Sequence, residues 1–201
     1  MLLVGAILGM GLLIGWGLGG ALRNLGLVRI KWWPALPAAL VLQGVPIPQL
    51  DGEMGRLLPF AALLLSYAVL IVVLVVNWRL RGFLVVLAGL ILNLVPIVAN
   101  QGMPVSGTAI ESVGGSLEDI PRERGEKHHL ATDEDIIQPL ADVIAVRDPF
   151  NTVVSVGDVL MYAGAAVFLA AAMMASPERP PRRDFARSRP ARPSTMSGTP
   201  R

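Results

Sequence analysis

The sequence has no cysteine and only two histidines in 201 residues. Disulfides, thiolate metal sites and cysteine nucleophiles are therefore excluded, and the redox compartment stays open. Charge is also sparse, at 16% of residues. None falls within 2–22, 57–78 or 82–110. Those stretches hold no nucleophile motif, phosphate-cradling glycine loop or paired carboxylate, so catalysis is not expected. Coupled ion transport needs ionisable groups at membrane depth. The polar candidates there are only Gln43, Ser66, Tyr67 and Asn93. The histidines are adjacent, His128 and His129, without the H-x-x-x-H spacing that points two imidazoles one way along a helix. Despite Asp133, Glu134 and Asp135 nearby, they read as titratable groups of a surface loop, and no metal or cofactor is expected.

Apolar residues make up 53% of the chain, with several runs near the twenty residues needed to cross a bilayer. The expected fold class is all-α: a polytopic integral membrane bundle of about five helices. The spans are read at 2–22, 33–49, 57–78, 80–99 and 157–175. The second is the weakest, because Pro34, Pro37, Pro46 and Pro48 leave a re-entrant segment as its rival. The organisation is then four helices within 1–100, a lid-like loop over 101–156, the last helix over 157–175, and a tail over 176–201. Rich in Arg and Pro, that tail reads as disordered and drawn to anionic lipid, with no specific nucleic-acid role. Arg23, Arg29 and Lys31, then Arg79 and Arg81, then the tail all fall on one side if five segments cross. The positive-inside rule makes that side cytoplasmic and the N-terminus external. The lid carries ten acidic residues against four basic ones and lies outside.

Gly89, Asn93, Pro96 and Asn100 are spaced four, three and four apart, which places them on one helical stripe. Asn100 marks the exit, and Gln101, Gly102, Met103, Pro104 and Val105 turn the chain into the lid. If Asn93 only locks helices together, Asn93→Leu should be tolerated. Gly11, Gly15 and Gly19 form a tandem G-x-x-x-G for close helix packing, within the chain or in a homodimer. Three helix starts are expected in the lid: a capping box at Thr108–Glu111 ended by Gly114 and Gly115, an acidic start at Thr132–Asp135, and a box at Ser155–Asp158. Ile136, Ile137, Leu140 and Ile144 follow the second start at roughly helical spacing, although Pro139 breaks a regular helix there. Asp158 is explained as a cap, whereas Asp142 sits in a polar loop with no evident partner.

Asn93, the Asn100–Ser106 stretch, Lys127-His128-His129 and Ser155-Val-Gly-Asp158 together resemble the bacterial membrane proteins of the domain of unknown function 5317 family. The resemblance covers about residues 1–175 and implies a bacterial cell membrane. It supplies no activity. Two readings follow. One is a non-enzymatic envelope protein whose lid binds a partner protein or lipid. The other is a small permease or channel component with Asn93 and Asn100 lining a cavity.

Overall fold

The computed structural model of the chain describes residues 2–44, 53–122, 125 and 127–176. The tail reading from residue 177 onward lies outside them, as do residues 45–49 of the expected second span. Among the described residues three helices are long and apolar enough to cross a membrane, with candidate spans Leu57–Val76, Phe83–Asn100 and Val156–Met173. They belong to α3 (Glu53–Val76), α4 (Phe83–Asn100) and α6 (Val156–Met173). The two other expected crossings are shorter. α1 (Leu2–Gly17) has 16 residues rather than the run to 22, about 24 Å of helix against a core of about 30 Å. Its continuation turns through Gly19, at φ 85, into a 3₁₀ turn at Leu22–Leu27. α2 (Ala35–Gly44) has 10 residues and runs beside α3.

Glycine faces set helix direction. A Cβ on Gly11 would meet the Ala166 backbone, and one on Gly15 would meet Ala170 and Met173. Both numbers rise together, so α1 runs parallel to α6. A Cβ on Gly82 would strike Gly164, and one on Gly89 would strike Gly157, so α4 runs antiparallel to α6. The G-x-x-x-G face thus packs within one chain through Gly11 and Gly15. Gly19 is a correction: nothing lies against it, and Gly20 makes the third close approach, to Met173.

α3 and α4 share a hydrophobic core cluster. Leu63, Tyr67 and Leu74 meet Phe83, Leu90 and Ile97, with Met103 closing the cluster at one end. The seven-residue spacing of 83, 90 and 97 keeps these side chains on one face. Leu57, Leu65, Val72, Ile91, Val95 and Val98 are exposed on the opposite faces, as expected of a bundle solvated by lipid. Polar pins hold the helices in register. Gln43 Nε2 donates to Ser66 Oγ at 2.9 Å, and Ser66 Oγ donates to the Leu63 carbonyl. After α3, Asn77 clamps Lys31 from both sides: its Oδ1 accepts the Lys31 N–H and its Nδ2 donates to the Lys31 carbonyl. Arg79 and Arg81 follow, so this is the basic end of the bundle.

At the other end α4 stops in a left-handed Gln101 (φ 57), with the Gly102 N–H returning to the Ile97 carbonyl. Both backbone conformations reverse the chain, and β1 (Met103–Val105) is buried at every position. β1 pairs in parallel with β2 (His128–Leu130), while its other edge bonds only Asp142. The Asp142 N–H goes to the Pro104 carbonyl, and the Asp142 carbonyl accepts from Ser106. Neither bond uses an N–H of residue 104, which is why proline is tolerated in a central strand.

The lid departs from its expected helices. α5 (Gly107–Ser112) is capped by Ser106 rather than Thr108: the Ser106 Oγ accepts the Ala109 N–H, and Thr108 lies inside the helix. The helix still ends just before Gly114 (φ 74) and Gly115. Thr132–Asp135 starts no helix. Ile137 is left-handed (φ 60), Pro139 lies in a 3₁₀ turn at Gln138–Leu140, and Ile144 opens β3 (Ile144–Val146), which pairs antiparallel with β4 (Thr152–Val154). The apolar spacing of Ile136, Ile137, Leu140 and Ile144 is therefore no helical stripe.

Candidate functional site

The Ser155-Val-Gly-Asp158 box forms as its spacing requires. The Asp158 N–H donates to Ser155 Oγ and the Ser155 N–H donates to Asp158 Oδ2, each at 3.0 Å. Asn93, midway along α4, ties into the same box: its Nδ2 donates to Asp158 Oδ1 at 2.7 Å, and Ser155 Oγ donates to its Oδ1 at 2.7 Å. One amide thus joins α4 to the first turn of α6. A Cβ on Gly157 would overlap Asn93 Oδ1, so the glycine of the box is a packing requirement as well. α6 starts opposite Asn93, seven residues before α4 ends, which leaves about 10 Å of α4 beside the lid. β1 and the 3₁₀ turn at Gln138–Leu140 pack there.

Two further clusters lie in the lid. Adjacent residues of a strand point to opposite sides, and β2 directs its histidines to two different carboxylates. His128 Nε2 lies 3.7 Å from Asp142 Oδ2. His129 Nε2 lies 3.1 Å from Asp135 Oδ1 and is fully buried. Asp135 Oδ2 also accepts from the Thr132 N–H and hydroxyl. Burial pushes the Asp135 carboxyl up, but the bonds from Thr132 and His129 outweigh it and hold it below the usual carboxylate range. With Asp135 ionised and accepting, His129 carries its proton on Nε2. Asn100 closes the lid against α4 much as Asn77 closes the basic end: its Oδ1 accepts the Ile136 N–H and its Nδ2 donates to the Ile136 and Pro96 carbonyls.

Asp142 is buried, not loop-exposed, and its Oδ1 has no hydrogen-bond partner among the described residues. Burial raises its pKa to about 7, helped by the Asp158 charge and opposed by Lys127. Burial lowers His128 to about 4, with Lys127 adding to the fall. Folding therefore moves one proton from the imidazole to the carboxyl. Between pH 4 and 6.5 the folded pair holds that proton on Asp142 and the unfolded pair holds it on His128, so stability is level. Each single variant removes the balance. In His128→Gln, Asp142 alone remains with a raised pKa, and stability should fall as pH rises from 4 to 7. In Asp142→Asn, His128 alone remains with a lowered pKa, and stability should fall as pH drops from 6.5 to 4. Unfolding midpoints in detergent at pH 4.5, 5.5 and 6.5 check this, and parallel curves for the two variants would contradict it.

The structure thus brings Asn93, Asp158, Asp142 and His128 to one junction. Tyr67 from α3 and Tyr162 from α6 lie within electrostatic range of both carboxylates. Pro96 and Asn100 stand on the same buried face of α4, whereas Gly102, Met103 and Pro104 form the turn and β1. His129 stands apart in its own pair with Asp135. Among the described residues no three His, Cys, Asp or Glu side chains are grouped to hold a metal ion. Tyr162 and the bridging of Ser155 to Asn93 had no local signal, because both depend on α4 and α6 meeting in antiparallel register.

The model of a family of unknown function, DUF5317, matches residues 27–170. No curated protein and no solved structure matches the chain.

Proposed function

We propose, from the premise that the chain belongs to the DUF5317 family, that it is a non-enzymatic multi-pass protein of the bacterial plasma membrane whose outer lid binds a partner protein or lipid. One contrast carries this reading. The polar stripe of α4 spends its hydrogen bonds internally: Asn93 on the α6 box and Asn100 on Ile136. The lid, by contrast, leaves Ile136, Ile137, Val143 and Ile144 exposed on an ordered frame. Apolar side chains held at a surface are the usual mark of a contact site. Parallel α1 and α6 place residue 2 and Met173 at opposite ends of the bundle. Arg79 and Arg81 lie away from the lid, so the positive-inside rule puts the N-terminus and lid outside and the C-terminus inside. A conduit along Asn93 and Asn100 is the second reading, and the closed amides speak against it.

A photoreactive residue at Ile136 or Ile144 in cells should crosslink to a discrete protein or a lipid, while one at Val98 gives only lipid. Identical products at all three positions would remove support for the lid as the binding part. A reporter active only in the cytoplasm should work after Arg81 and stay silent within 115–130. Activity from the 115–130 fusion would reverse the orientation.

A further inference from the structure

We infer that Asp142, with His128 beside it and Asp158 nearby, forms a binding site for a primary ammonium group where the lid meets the bundle. The inference deepens the lid-binding reading and rests on it. The backbone of Asp142 is fixed on both sides, its N–H bonded to the Pro104 carbonyl and its carbonyl to the Ser106 N–H. Its side chain is 9% exposed, and Oδ1 is buried with no partner among the described residues. Oδ2 faces His128 Nε2, a second acceptor when the ring is neutral with its proton on Nδ1. Asn93 and Ser155 hold the Asp158 side chain in place by donating to its two oxygens. The junction is thus rich in acceptors and negative charge. Lys127, next to His128 in sequence, adds a positive charge within electrostatic range of Asp142.

A primary ammonium supplies three N–H donors and one positive charge. Those donors match Asp142 Oδ1 and the His128 lone pair. A divalent metal fits worse, since among the described residues no three His, Cys, Asp or Glu side chains are grouped closely enough to hold one. The acidic lid draws cations toward the site, and the His128 side chain, 40% exposed, borders the way in. The amine has two sources, a free small amine or the ethanolamine headgroup of a lipid. A proton on Asp142 is the competitor, so binding strengthens as pH rises from 6 to 8.

The test uses the full chain in detergent at pH 8, in methylammonium chloride or in sodium chloride of the same ionic strength. Methylammonium should raise the unfolding midpoint by about 2–4 °C. The rise should vanish in Asp142→Asn and persist in Asp148→Asn, which alters an exposed lid carboxylate. Should Asp142→Asn fail to fold, infrared spectra of the native chain decide. At pH 6, where Asp142 holds its proton, methylammonium should convert a protonated carboxyl band to the ionised form, and an unchanged band would overturn the site. Nanodiscs distinguish the sources. With phosphatidylethanolamine present, a raised midpoint that methylammonium no longer moves identifies the headgroup. An unaltered methylammonium response there identifies a free amine. No response to either, in nanodiscs with or without phosphatidylethanolamine, overturns the inference. If that happens while Ile136 still crosslinks, only the ammonium site is lost. A methylammonium response without crosslinks would sink the broader lid reading alone.

Discussion

Gly157→Ala is expected to abolish the folded protein. The added Cβ would overlap Asn93 Oδ1 and crowd the Gly89 carbonyl, and neither can retreat. The amide is fixed by Ser155 and Asp158, and the carbonyl belongs to the backbone of α4. A methyl forced against a backbone in a packed interface exceeds the ordinary range for single substitutions, so a cost above about 4 kcal/mol follows. Gly5→Ala is the matched control, because nothing lies near that position. The control should change stability by less than about 0.5 kcal/mol. Recovery of monodisperse protein from membranes, followed by a thermal midpoint, separates the two.

Asn93→Leu should also be severe, contrary to the tolerance expected from a simple helix lock. Leucine would fill the space but remove two bonds. Asp158 would lose its 2.7 Å donor, and the buried Ser155 hydroxyl would lose its acceptor. Bonds to charged groups contribute about 1.5–3 kcal/mol, and a buried unpaired hydroxyl costs about 1–3 kcal/mol, giving a loss of about 3–5 kcal/mol. For a chain of this size that lowers the midpoint by about 10 °C. A thermal midpoint in detergent checks this, and a midpoint within about 2 °C of the native value would show that the two bonds contribute little.

Much of this was legible in the sequence. Apolar runs and capping boxes depend on neighbours a few residues apart, and such signals located α3, α4, α6 and the cap at Ser155. The spacing of Gly89, Asn93, Pro96 and Asn100 correctly placed them on one buried face. Their partners were not legible, since Asp158 lies 65 residues from Asn93 and Ile136 lies 36 from Asn100. The lid misled for a different reason. Thr132-Asp-Glu-Asp135 carries the chemistry of a helix start, and Asp135 does accept the Thr132 N–H. Pro139 and a left-handed Ile137 prevent the helix from following, and the carboxylate is committed instead to His129. Adjacent histidines with acidic neighbours were expected on the surface. Strand alternation sends them to opposite sides, so His129 is buried while His128 stays near solvent.

On the proposed reading, the polar stripe of α4 is sealed and serves packing, not passage. The native chain has no cysteine, so a single thiol reports without background. Pro96→Cys places it on the stripe at a fully buried position, and Gln101→Cys places it at the exposed exit. A membrane-impermeant maleimide added to the lid side should modify position 101 quickly and position 96 about a hundredfold more slowly, at the rate of local opening. Comparable rates at 96 and 101 would mean that water reaches the stripe, and the sealed bundle would be wrong.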